Sequence, residues 1–246
     1  MGSAGQLRFI EQHVHRFEGP FLETGSKDYG NTQDLRHLFS AKTTVNGRSK
    51  ADLNYVGVDM FDGPGVDVVA DLAGHFDEID AALGGRRFGT IFCLSVLEHC
   101  ENPFAMAENL VRLLRPGGKL CVSAPFAFKL HAYPDDFWRF TPAGIQKLFE
   151  PLQFRPEDSV WTTGLRNDDF RPVDSQLGKL HFSFSAHQKT GHPLRGLSAK
   201  TLSLLAKFGF LRWLAGYRYV LAPTDIIMIG SLPRFHAEKN HDATTN

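Results

Sequence analysis

The chain has 246 residues, 42% of them hydrophobic, with 27 Lys plus Arg balanced by 27 Asp plus Glu. That apolar content fills the core of one large domain or two small ones and excludes wholesale disorder. The balanced charge supplies no global field for nucleic acid or anionic lipid, so no nucleic-acid partner is expected.

Phe21 and Leu22 read as the end of an apolar strand, and the polar loop after them is bracketed by Gly25 and Gly30. A dinucleotide fingerprint demands G-x-G-x-x-G, because a pyrophosphate comes against bare backbone at a helix N-terminus. Here Ser26, Lys27, Asp28 and Tyr29 fill that space, which disfavours a nicotinamide oxidoreductase. Asn31 or Thr32 caps a helix carrying Leu35, Leu38 and Phe39 at helical spacing, and Ser40 to Asn54 reads as a polar surface excursion.

YVGVDM and VDVVADL follow as short strands, ending in Asp59 and Asp71, and residues 88–94 make a buried strand. Asn102-Pro103 opens a helix with Phe104, Ala107, Leu110, Val111 and Leu114 on one face. Residues 115–118, RPGG, turn the chain into the strand KLCVSAP, and Thr141-Pro142 opens a helix reaching about Glu150. Strands near 158–164 and 224–232 are expected to pair antiparallel at the sheet edge. Between them lies an insertion, 165–222, with a helical segment over 197–219. The alternation predicts an α/β fold with a mostly parallel sheet and helices on both faces. One domain is expected over 1–235, with 165–222 as a lid or interface and 236–246 as a disordered tail.

Cys93, Cys100 and Cys121 make no C-x-x-C pair, which suits a reducing cytoplasm and argues against structural zinc. The N-terminus lacks the charged and apolar regions of a signal peptide, and no run of about 18 apolar residues could span a bilayer. A cytoplasmic location is expected. His181, His187 and His192 fall at irregular spacing, so no metal site is expected and activity should survive chelation.

Glu23, Asp59, Asp71 and Ser95 all sit at strand C-terminal ends, where an open parallel sheet gathers its ligand. With them in place, the chain from about Phe21 to Phe149 resembles the class I S-adenosylmethionine-dependent methyltransferases. The most specific part is FGTIFCLSVLEHCENPFAMAENLVRLLRPGGKLCVSAPF. The resemblance implies a Rossmann-like, doubly wound sheet with S-adenosylmethionine as cofactor. It maps the first-strand acid and glycine loop to Glu23, Gly25 and Gly30, and the ribose-binding acid to Asp59 with Met60 beside the adenine. Asp71 and Leu72 map to the adenine side, and Ser95 through His99 to the segment closing over the cofactor. The donor has no phosphate, so a loop with side chains is tolerated, and Lys27 is read as the partner of the methionine carboxylate.

HAYPDDFWRFTP, residues 131–142, resembles a stretch found in a subgroup of these enzymes, many associated with bacterial cell-surface polysaccharide or secondary-metabolite pathways. It is placed near the acceptor pocket, for a small-molecule or glycan acceptor. His131 and His99 are the candidate bases, and Tyr133 and Asp135 are read as orienting the acceptor. Phe137, Trp138 and Phe140 read as packing, with Asp136 and Arg139 paired to lock the loop. The segment 207–221, aromatic with interleaved arginines, suits a membrane-surface helix, a lid on the acceptor cleft or a homodimer face. A catalytically silent cofactor-binding or scaffolding protein with the same fold is the competing reading.

Overall fold

The computed structural model describes residues 3–30, 35–39, 44–45, 48–49, 54–131, 135–162, 170–173, 197, 200–201, 204–205, 207–211 and 224–234. The chain divides into two compact units, Met1–Val173 with Thr224–Asn246, and Asp174–Pro223. In the second unit, residues 197, 200–201 and 204–205 are helical and Thr201 Oγ1 donates to Leu197 O at 2.9 Å. His181, His187, His192, the tail after 234 and most of 197–219 lie outside the described residues.

The first unit opens on a helix that the sequence reading passed over, α1 (Ala4–His13). Its start is a reciprocal capping box: Ser3 Oγ accepts from Gln6 N at 3.3 Å and Gln6 Oε1 accepts from Ser3 N at 2.6 Å. There follow β1 (Phe21–Thr24), α2 (Arg36–Phe39), the small antiparallel pair β2 (Thr44–Val45) and β3 (Arg48–Ser49), β4 (Tyr55–Asp59) and β5 (Val68–Val69). Next come α3 (Phe76–Ala82), β6 (Phe88–Leu94), α4 (Pro103–Leu113) and β7 (Leu114–Pro125). The remaining elements are α5 (Pro142–Leu148), β8 (Gln153–Thr162), β9 (Arg171–Pro172) and β10 (Asp225–Ser231). Both interior caps form as read: Asn102 Oδ1 accepts from Ala105 N and Thr141 Oγ1 from Gly144 N, each with proline in the first turn.

The main sheet runs β5-β4-β1-β6-β7-β10-β8-β9. β5, β4, β1, β6 and β7 are mutually parallel. β10 pairs antiparallel with β7 on one side and β8 on the other, and β9 closes the edge antiparallel to β8. The expected β8–β10 pair is therefore antiparallel, but β10 lies inside the sheet and the two-residue β9 is the edge. The RPGG turn is absorbed as a bulge in β7. The register jumps from Phe88↔Leu114 to Thr90↔Lys119, Gly117 takes φ 79°, and its N–H donates to Leu232 O at 2.9 Å.

Alternation along the strands sends Phe21, Tyr55, Phe92, Leu94, Cys121 and Ile227 to one face, where they form a core with Phe9 and Ile10 of α1 and Leu35 before α2. The strands are buried on both faces, as a parallel sheet covered by helices requires: β4 and β6 are buried at every position. After β1 the chain moves outward to β4 and β5, then returns to the other side of β1 with β6. That reversal opens a crevice beyond the C-terminal ends of β1 and β6.

Candidate functional site

A cleft of about 810 Å³ occupies this crevice. It is walled by Gly25 after β1, Asp59 and Met60 at the end of β4, and Asp71 and Leu72 after β5. Ser95, Glu98 and His99 after β6 and Phe128, His131 and Asp135 after β7 form the other side. Asp225 joins them because β10 is antiparallel and so begins at the same sheet end.

At one end the backbone is arranged for a close ligand. Gly25 takes φ 64°, and a Cβ there would lie 2.7 Å from Val96 Cγ2, so glycine is required both by conformation and by space. Asp59 is 9% exposed, and its two carboxylate oxygens accept from Lys27 N at 3.2 Å and Phe61 N at 3.0 Å. This fixes the carboxylate at the strand end with lone pairs left for hydroxyl donors. Asp71 Oδ1 accepts from Ala73 N at 2.9 Å. Asn109 of α4 holds the same loop by donating to Leu72 O and Gly74 O at 3.0 and 2.9 Å. Leu72 is buried while Met60 is 53% exposed, giving an apolar floor and an open thioether side chain.

Ser95 is the one non-glycine residue with positive φ, 54°, among the described residues, a strained conformation that needs support from its surroundings. Its N–H donates to Ser123 O at 2.9 Å, and its hydroxyl accepts from Gln6 Nε2 at 2.8 Å. Gln6, 1% exposed, also donates to Ser123 Oγ at 2.8 Å, so α1 clamps the turn after β6. The local signals for this helix are its S-A-G-Q capping box and the apolar spacing of Leu7, Phe9 and Ile10.

Three of the mapped residues do not line the cleft. Glu23 points to the α1 face with Phe21, where its Oε2 accepts from Tyr55 Oη at 2.7 Å. Lys27 is half-buried behind the wall: its chain covers Gly63, and Nζ lies 5.2 and 5.6 Å from the ring centroids of Tyr29 and Phe61, which themselves line the cleft. Gly30 closes an Asx turn by donating to Asp28 Oδ1 at 2.7 Å. Strand alternation puts Glu23 on the face of Phe21, and the Lys27 backbone N–H is the group that meets Asp59.

At the other end, two segments are zipped together. Glu98 O accepts from Phe137 N at 2.8 Å and Trp138 N at 3.3 Å, and Cys100 O accepts from Trp138 Nε1 at 2.8 Å. Asp136 and Arg139 form the expected lock. Arg139 grips both carboxylate oxygens, one contact being Nη2 to Oδ2 at 2.7 Å, and His131 N donates to Oδ2 at 2.9 Å. The guanidinium hydrogen bonds hold the Asp136 carboxyl well below the usual carboxylate range.

His99 Nδ1 lies 2.5 Å from Asp135 O. A carbonyl can only accept, so Nδ1 carries the proton and Nε2 keeps a lone pair. Burial holds the His99 pKa below its ordinary value, so the ring is neutral near pH 7. His131 stacks edge-on to it, with ring centroids 4.9 Å apart. His131 Nδ1 sits 3.0 Å from Asp136 Oδ2 without the direction of a hydrogen bond. Burial pushes the Glu98 carboxyl up to about 7 and that of Asp225 up to about 6. Tyr133 lies outside the described residues. The sequence reading carried Glu98 only as part of the segment Ser95–His99, with no role of its own, and passed over Asp225, because strand order in the sheet and not local spacing brings both to this end of the cleft.

Residues 49–122 match a family model described as a methyltransferase domain. The comparison with curated proteins gives no match. Among solved structures, the chain is similar to a SAM-dependent methyltransferase from Archaeoglobus fulgidus, with TM-score 0.50 and 14% identity over 94% of this chain and 95% of that one. It is also similar to the N-methyltransferase NodS from Bradyrhizobium japonicum WM9, with TM-score 0.44 and 11% identity over 94% of each chain. The chain thus has the Rossmann-like α/β fold of a SAM-dependent methyltransferase, with the methyltransferase-domain match spanning β4 through most of β7.

Proposed function

We propose that the chain binds S-adenosylmethionine along the Gly25–Asp59–Asp71–Ser95 wall and transfers its methyl group to a small-molecule or glycan acceptor held near His99 and His131. The observation that carries this reading is the convergence of those wall residues and the two histidines in one cleft. Asp59, fixed by two backbone N–H groups, accepts from the ribose hydroxyls. Met60 and Leu72 flank the adenine, and Asp71 faces its amine.

Methyl transfer needs alignment more than activation, because the sulfonium is already a good leaving group. A lone pair on the acceptor attacks the methyl carbon, and the carbon–sulfur bond breaks with its electrons returning to sulfur. For a hydroxyl acceptor, the proton passes to His99 Nε2, whose tautomer is set by Asp135 O. His131 and Asp135 border the acceptor.

Calorimetry should show binding of S-adenosylmethionine and its demethylated product but not of NAD. Incubation with labelled donor and a metabolite extract should then label an acceptor. His99→Ala and His131→Ala should keep donor affinity while turnover falls roughly 10²- to 10⁴-fold. Absence of donor binding would end the reading, and donor binding without any methylated product would favour a catalytically silent binding protein.

A further inference from the structure

The acceptor end of the cleft collects hydrogen-bond acceptors without matching donors. Glu98 is 1% exposed, yet its Oε2 has no hydrogen-bond partner among the described residues. His99 Nε2, left with its lone pair because Nδ1 serves Asp135 O, faces Glu98 Oε1 at 4.0 Å. His131 adds a ring whose Nδ1 is buried and, among the described residues, makes no hydrogen bond, although it lies 3.0 Å from Asp136 Oδ2. One ligand atom from each of the three residues lies within 4.8 Å of the other two. A buried carboxyl group facing an imidazole lone pair needs a proton or a cation between them.

We propose that Glu98, His99 and His131 form a binding site for a divalent transition-metal ion at the acceptor end of the cleft. Two imidazoles and one carboxylate are the donor set of three-ligand sites that keep coordination positions open. Imidazole nitrogen selects ions of the zinc, iron and cobalt class over magnesium and calcium, which prefer oxygen throughout. Ligands about 2.0–2.1 Å from a tetrahedral ion stand about 3.4 Å apart. His99 Nε2 and Glu98 Oε1, 4.0 Å apart, would have to approach by about 0.6 Å to share an ion.

The surroundings supply the outer contacts that ligating histidines need. Asp135 O orients His99, and the Asp136 carboxylate beside His131 is itself clamped by Arg139. Chain spacing could not show this site, because Glu98 and His99 meet His131 through the pairing of β6 with β7 and the hydrogen bonds between the segments that follow those strands.

If methyl transfer is the function, an acceptor hydroxyl coordinates the ion through its oxygen, its proton leaves to water in the cleft, and the oxygen lone pair takes the methyl carbon from sulfur. In that state the histidines act through the ion and His99 does not itself take the proton. The role rests on the methyl-transfer reading, whereas the site does not.

The test uses tag-free, full-length protein stripped with EDTA and titrated with Co²⁺, followed by visible absorption and calorimetry. Saturable binding of one Co²⁺ per chain is expected, with a spectrum showing nitrogen ligation. Glu98→Gln, which preserves shape, should weaken binding at least about tenfold, as even loss of an outer-contact residue does. Asp77→Asn, at an exposed carboxylate on α3, should leave Co²⁺ binding unchanged. No saturable binding by the unaltered chain would overturn the proposal whatever the variants do, and so would equal affinity in a folded Glu98→Gln. Donor binding without Co²⁺ binding would remove the metal site alone, and Co²⁺ binding without donor binding would remove the methyl-transfer reading alone.

Discussion

Replacing Asp136 by alanine should loosen the whole acceptor wall. The Asp136 side chain is 1% exposed and receives both arms of the Arg139 guanidinium and the backbone N–H of His131. Arg139 in turn donates to Lys129 O at 3.2 Å and Trp138 O at 2.7 Å, so the pair ties residues 128–131 to 136–139. Breaking a buried ion pair on one side costs about 3–5 kcal/mol. Arg139 is 28% exposed and keeps its carbonyl bonds, so water and backbone recover part of that, leaving about 2–3 kcal/mol. For a domain of this size, that lowers the melting temperature by about 4–12 °C.

The pH dependence fixes the cause. The folded carboxyl titrates well below its ordinary 3.8, so its contribution is present above about pH 4 and is lost as pH falls toward the folded value. Urea unfolding followed by circular dichroism at pH 7 and at pH 3 should show a wide gap between native and variant proteins that narrows in acid. Asp136→Ala with Arg139→Ala together should cost less than the two single changes added, since no unpaired guanidinium remains. A single variant within about 0.5 kcal/mol of the native protein at pH 7, or a gap that widens in acid, would refute the lock.

Asp59→Ala should weaken S-adenosylmethionine binding by about 1.5–3 kcal/mol, read by calorimetry, and an unchanged affinity would remove Asp59 from the site. Gln6→Ala strands the buried Ser123 hydroxyl and frees the strained turn at Ser95, so stability should fall by about 2–3 kcal/mol and donor affinity with it. Unaltered thermal unfolding would show that α1 is not a clamp. Asp225 has its folded pKa raised by burial from 3.8 to about 6, so the stability tied to its neutral form is full below about pH 4 and lost as pH rises through about 6. In chelator, Asp225→Asn should therefore be more stable than the native chain above pH 6, by up to about 3 kcal/mol for a difference of about two pH units. Equal stabilities at pH 5 and pH 8 would contradict this.

The sequence by itself determined the elements whose signals are local. Apolar runs of strand length gave β4 and β6, and Asn102-Pro103 and Thr141-Pro142 gave the starts of α4 and α5, because capping and periodicity act within a few residues. It also put Asp59 and Ser95 where strands end, which in a parallel sheet is enough to bring them to one crevice.

Tertiary structure decided what depends on partners distant in the chain. β10 enters between β7 and β8 because its fully buried run, Ile226 to Gly230, needs a neighbour on each side, and nothing in that run says which neighbours. Gln6 reads as a polar surface residue until α1 packs on the sheet and buries it against Ser95 and Ser123. Lys27 reads in the sequence only as a loop cation, whereas the fold gives its backbone N–H to Asp59 and sets its Nζ beside the cleft-lining rings of Tyr29 and Phe61. Glu98, His99 and His131 become one cluster only when the turn after β6 is hydrogen-bonded to the segment after β7 through Glu98 O and Asp135 O. Periodicity reports which face a side chain takes, whereas charge and ligand geometry depend on what stands opposite, and that is fixed by the order of strands in the sheet.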